Sequence, residues 1–308
     1  MGFSLTLQRI ILAVNQVIIF LPVMAKANSF NPQLFYSKQG QISDPGSHAD
    51  QLTVLPESLP ELVKAIQGVM LHLHWASRYG ITLTKVRKNE SNLRTMQARL
   101  AKVMRLCDAP LSQGRLLTQK TVGTCRDFAL MLTAILRWRG IPARARCGFG
   151  TYFTKGKFED HWVCEYWMEG ESRWVMVDSQ LDELQRNVLK IDFDPLDMPK
   201  VKFVTGGQAW QLCRSKQADP KRFGIFDMHG LNFIKGNLIR DFLALNKIEI
   251  LPWDNFGLIR KSTPRMKLKE WQLMDRLASI SSGADRDFVL LRAAFAANQE
   301  KLLPDYFQ

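Results

Sequence analysis

Three side chains in one stretch could do covalent chemistry together: the thiol of Cys125, the imidazole of His161 and the carboxylate of Asp178. Cys125 follows Gly123-Thr124 and precedes Arg126-Asp127-Phe128. Thr124 is a good helix N-cap, and Asp127 three positions on completes a capping-box-like pair. Phe128, Leu132, Ile135 and Leu136 repeat as a buried helix face that Gly140 and Pro142 end. The spacing predicts Cys125 in the first turn of a buried helix. Unpaired N–H groups and partial positive charge there favour thiolate and can face a developing oxyanion. Gly123 would let the backbone approach closely and leave room for a substrate carbonyl. Alone, a Gly-x-Cys before a helix fits a small buried hydrophobe equally well.

The partners lie on predicted strands. Ala143 to Phe149 alternates, Thr154 to Asp160 is a polar loop, and His161 to Trp167 is rich in β-formers. Glu169-Gly170 is a turn signal, and Trp174 to Asp178 returns. A turn centred on Glu169-Gly170 sets His161 directly opposite Asp178, so the carboxylate could hold the ring in one tautomer and leave the other nitrogen for Cys125. Singly, His161 could be a polar cross-strand residue and Asp178 a strand-ending turn residue. Asp127 and Asp160 are alternative orienters, but Asp127 more simply caps its helix and Asp160 projects from the opposite strand face. Gln119, six residues before Cys125, is a candidate second oxyanion donor. Trp162 and Trp174 read as core.

Residues 121–180 resemble the catalytic core of the transglutaminase-like superfamily, through Gly-Thr-Cys-Arg-Asp-Phe-Ala at 123–129, Gly-Ile-Pro-Ala-Arg at 140–144, Asp-His-Trp-Val at 160–163 and Arg-Trp-Val-Met-Val-Asp at 173–178. The resemblance implies an α+β, papain-like fold with a catalytic helix on a small antiparallel sheet and flanking helices. It implies Cys125 as nucleophile, His161 as general base and acid, and Asp178 as orienting acid. The flanks resemble bacterial members of that superfamily, which look more often like peptidases or amidases than cross-linkers. Thiol-dependent hydrolysis or acyl transfer on a peptide or protein amide is therefore the expected activity, and the expected mark of an enzyme is one thiol that alkylates well below pH 8. No loop resembles the calcium sites of animal transglutaminases.

The elements that must position these groups are legible in outline. Residues 28–57 read as an extended lead-in with turns. Ser58-Leu59-Pro60-Glu61 is a capping box, behind which Leu62, Ile66, Met70, Leu73 and Ser77 predict one helix to Gly80. His72 and His74, two apart on it, point to different faces and read as ordinary histidines. Lys85 to Leu106 is a second, basic helix. Beyond residue 200 the pattern suggests short helices and loops, then two helical stretches, Met266 to Ile280 and Ser282-Gly283 to about Leu303. The expected organisation is an apolar lead at 1–34, a domain at 35–260 with its core at 115–185, and a helical extension at 261–308.

The chain has 308 residues, 46% hydrophobic, with a net charge of +13. That excludes disordered, collagen-like and coiled-coil classes. The charge would suit an acidic partner. A non-catalytic binding module using the basic helix at 85–106 on nucleic acid or an acidic protein is the rival reading, but the charge is spread out and no nucleic-acid motif accompanies it. Oligomeric state is left open. Five cysteines without a CxxC pair argue against structural zinc, and no cofactor or metal is expected. The spacing of the other four fits reduced core thiols. Ile10 to Met24 is apolar and precedes Ala25-Lys26-Ala27, so residues 1–27 could be an export signal; Asn15 and Gln16 interrupt the run, Met24 is an alternative start, and a cytoplasmic location is favoured. No stretch is long enough for a stable membrane span.

Overall fold

The computed structural model describes residues 31–304 and Phe307, so the export reading at residues 1–27 lies outside the described residues. The fold is α+β. A short helix at Pro32–Tyr36 and a 3-10 turn at Gly46–Leu52 replace the expected extended lead-in, the first capped by Asn31. Helix α1 spans Leu59–Val69, and Ser58 Oγ donates to the Glu61 carboxylate at 2.7 Å. It stops eleven residues before Gly80 because strand β1, Met70–His72, leaves it to pair in parallel with β2, Thr121–Gly123. Gly80 instead caps a separate 3-10 turn in the left-handed conformation.

The second predicted helix is likewise broken. Lys85–Lys88 is one turn, Asn89–Asn92 is 3-10, and helix α2 begins at Met96, capped by Thr95, and runs to Leu106. Its basic residues do not form one free face. Arg99 is buried against Asp127 at 2.9 Å, Arg94 meets Asp254, and Arg87 and Lys102 share Glu90.

Helix α3, Cys125–Trp138, packs on strands β3, Ala143–Gly150, and β4, Phe158–Met168. Strand β5 is Arg173–Val177 and β6 is Phe203–Thr205. Helix α4, Gly206–Arg214, is followed by the hairpin β7, Phe223–Ile225, and β8, Met228–His229. Helices α5, Leu231–Leu245, α6, Leu268–Ser282, and α7, Phe288–Ala296, complete the chain's longer elements. The main sheet runs β6-β3-β4-β7-β8, with β5 also on β4. It is larger than the small antiparallel sheet expected, and β4 and β7 run parallel.

Helix α5 corrects the reading of short helices and loops beyond residue 200. Every residue from Ile234 to Leu245 is buried, so it has no polar stripe to reveal it. It shares an apolar cluster with Phe149, with Met274 and Leu277 of α6, and with Leu291 of α7. A second cluster joins α1, α2 and α3 to Ala143, Cys164 and Val177 of the sheet.

The site is made possible by a split edge. One end of β4 pairs with β7 at Phe158 and Glu159, and the other pairs with β5 from Cys164 to Met168. Between these, residues 160–163 carry a strand partner only on the β3 side. His161 lies in that gap.

Candidate functional site

The start of α3 is held from several sides. The Thr124 N–H donates to the Asp127 carboxylate at 2.8 Å, the reciprocal half of a capping box. Asp127 also receives Arg99 and Arg126 at 2.9 Å each, so it is a cap and ion-pair centre rather than a partner of His161. The Val122 N–H donates to Glu90 at 2.8 Å, and β1 pairs along β2. Gly123 serves this packing. A Cβ there would lie 2.8 Å from Met70 Cε and 2.9 Å from Asp127 Cβ.

His161 and Asp178 come together by a different register from the one expected. Met168 pairs with Arg173, so the turn has four residues, with Ser172 in the left-handed conformation. The observed ladder ends at Cys164 and Val177, and continuing it would set Asp178 opposite Val163, two residues from His161. A two-residue slip keeps side chains on the same strand face, so the diagonal pair still meets. His161 Nε2 lies 2.8 Å from Asp178 Oδ2. The Gln180 N–H donates to Asp178 Oδ1 at 3.1 Å, and the Asp178 N–H donates to the Pro195 carbonyl at 2.8 Å.

Cys125 completes the arrangement. Its thiol lies beside the His161 side chain and near the Trp162 main-chain N–H, close enough for both to act on its charge. With Nε2 taken by Asp178, Nδ1 is the ring nitrogen left for Cys125. All three residues are nearly closed off: relative exposure is 9% for Cys125, 2% for His161 and 1% for Asp178. A groove of about 840 Å³ lies elsewhere, between Val204, Trp210, Arg214 and Asp275.

Burial opposes charge on His161, but the Asp178 carboxylate and the hydrogen bonds to Asp178 and Cys125 outweigh it and push the imidazole up to about 10. Burial is the largest influence on Cys125 and holds its thiol above the ordinary value, while His161 and the Trp162 N–H draw it back. Burial thus opposes the lowering expected from the helix terminus. The two groups act on each other's charge and titrate as a pair. Because Asp178 holds the imidazolium, loss of one proton from the pair leaves thiolate beside imidazolium. All five cysteines are free. Burial pushes Cys164 up to about 12 and Cys213 up to about 11, and holds Cys147 well above the ordinary range.

The other candidates sort as follows. The Asp160 carboxylate accepts from Asn237 at 2.7 Å and is held up by burial. Gln119 sits half-buried in the 3-10 turn Leu117–Gln119. His72 is buried on β1, with its ring 5.7 Å from that of His74, and burial lowers its pKa well below 6.5. No group of three metal-ligating side chains occurs among the described residues. Trp162 is core, and Trp174 stacks under Arg144 at 3.9 Å.

Sequence reasoning missed Tyr152 and Phe153. The Tyr152 hydroxyl donates to Asp178 Oδ2 at 2.6 Å, and the Phe153 ring lies 4.9 Å from His161, edge-on. The only signal was an aromatic pair beside an otherwise polar loop.

Fold and site together define an α+β protein with a hydrogen-bonded imidazole and carboxylate and a thiol beside the ring. Residues 108–179 match the transglutaminase-like superfamily, a span that contains Cys125, His161 and Asp178. The chain thus carries a transglutaminase-like core. A solved structure of a candidate cysteine protease from Cytophaga hutchinsonii is similar at 14% identity, over 58% of this chain and 47% of that one, with a TM-score of 0.33. The match spans about half of that protein's length. No curated protein matches the chain.

Proposed function

We propose that the chain is a cysteine hydrolase of peptide or protein amides, acting through Cys125, His161 and Asp178. The observation that carries this is the 2.8 Å contact of His161 Nε2 with Asp178 Oδ2, with the Cys125 thiol beside the same ring at the N-terminus of a buried helix. With one proton lost from the pair, the Cys125 thiolate attacks the amide carbonyl beside the His161 imidazolium. The tetrahedral oxyanion would face the free N–H groups that open α3. The carbon–nitrogen bond then breaks as the imidazolium protonates the leaving amine, leaving a thioester on Cys125. His161 next removes a proton from water, which attacks the thioester and releases the acid and the thiol. An amine in place of water would give transfer. Asp178 keeps the ring in one tautomer and stabilises its charged form throughout.

In this reading residues 35–260 are the catalytic unit and 261–308 an extension, anchored through Met274, Leu277 and Leu291 in the cluster that contains α5. The rival reading, a basic binding module, loses its main support because Arg87, Arg94, Arg99 and Lys102 are paired with acidic groups. The test is labelling with an electrophilic amide probe. Cys125 should be labelled in the parent, and Cys125→Ala should fold but resist the probe. Normal labelling of that variant would refute the proposal.

A further inference from the structure

One oxygen of Asp178 serves two donors. The Tyr152 hydroxyl reaches Oδ2 at 2.6 Å, and His161 Nε2 reaches the same atom at 2.8 Å. The tyrosine ring is fixed by Phe153 at 4.5 Å, by Phe193 at 5.2 Å and by the cluster of Val163, Met198 and Phe203. Burial and the neighbouring Asp178 charge hold the phenol well above its ordinary pKa, so it stays a donor. A carboxylate shares its charge among its donors, and a charge-assisted bond of this length takes a substantial part. The share taken by Tyr152 is lost to the imidazolium.

We infer that Tyr152 is a positioning residue that acts through Asp178, aiming Oδ2 at His161 and moderating how firmly the carboxylate holds the imidazolium proton. The inference rests on the triad reading. The benefit falls on the second half of acylation, because a ring held too tightly protonated is a poor acid toward the leaving amine. The other groups that act on the ring are Cys125 from α3, His72 from β1 and Asp160 from β4 itself. None of them touches Oδ2.

The test is NMR titration of the His161 ring in the full chain, which has only five histidines. Tyr152→Phe keeps the ring and removes only the hydroxyl. Its His161 midpoint should rise by about half a unit, roughly a three-fold gain in proton affinity. Phe193→Leu, which loosens the same packing without touching Asp178, should leave the midpoint in place. In an Asp178→Asn background Tyr152→Phe should add no further shift, since the two substitutions act through one atom. An unchanged or lowered midpoint in Tyr152→Phe overturns the inference, as does an equal shift in Phe193→Leu or in the Asn background. The readout needs no substrate. Failure of Cys125 to label would therefore count against the enzyme reading, and failure of the midpoint to move would count against Tyr152 alone.

Discussion

Asp178→Asn is the sharpest perturbation of this site. The amide keeps the size of the carboxylate but removes the charge that holds His161 near 10 against burial. The interval from 6.5 to about 10 corresponds to roughly 5 kcal/mol in favour of the charged ring. With the carboxylate gone, only Cys125 still opposes burial, and the midpoint should fall toward 6.5 or below. The sign for stability follows. The folded pKa of His161 is raised, so its contribution is fully present below about 6.5 and is lost as pH rises through about 10. The parent should exceed the variant in stability at pH 6 by several kcal/mol, and the difference should shrink between pH 6.5 and 10. Acylation should fall by about 10³–10⁴, the scale for losing a triad carboxylate. Ring titration by NMR, paired with urea unfolding at pH 6 and pH 10, reads both effects. A His161 midpoint that stays near 10 in the variant, or a stability difference independent of pH, would refute the argument.

Three further outcomes are expected. Glu165, buried between Arg144 and Arg146, is held down at about 2 by those guanidinium groups against the opposing effect of burial. Glu165→Gln should cost about 3 kcal/mol in urea unfolding at neutral pH, and the difference should narrow as pH falls from 4.5 toward 2. Gly148 pairs with His161, and a Cβ there would stand 2.2 Å from the Val204 carbonyl oxygen. Gly148→Ala should therefore part β3 from β6, cost about 1–3 kcal/mol in thermal unfolding, and slow alkylation of Cys125. Asp127→Ala should destabilise by about 3–5 kcal/mol, by leaving Arg99 and Arg126 buried without their carboxylate, as measured by chemical denaturation.

Where local chemistry decides structure, the sequence was readable. The Thr124 cap, the apolar face of α3 and the β-rich segments at 143–149 and 161–167 depend on neighbours a few residues away, and they stand as expected. Long-range pairing was not readable. Met70 to His72 continue a helical spacing, yet they leave the helix to pair with Thr121 to Gly123 fifty-one residues on. Helix α5 carries Arg240 and Asp241 as buried groups whose partners lie at Asp254 and Arg146, so no amphipathic period marks it. The turn after Met168 takes four residues, with non-glycine Ser172 at φ 49°, which the Glu-Gly pair did not signal. The His161–Asp178 pairing survived because the slip was even. Tyr152 was invisible because only folding brings that loop onto Asp178.

The central claim is that Cys125 is a nucleophile driven by His161. Rapid quenching after mixing with an activated ester, followed by residue-level mass spectrometry, measures it directly. One acyl group should appear on Cys125 as a hydroxylamine-sensitive thioester, and it should vanish in His161→Ala. Acylation spread over surface lysines, or a Cys125 adduct that forms equally fast without His161, would contradict the account.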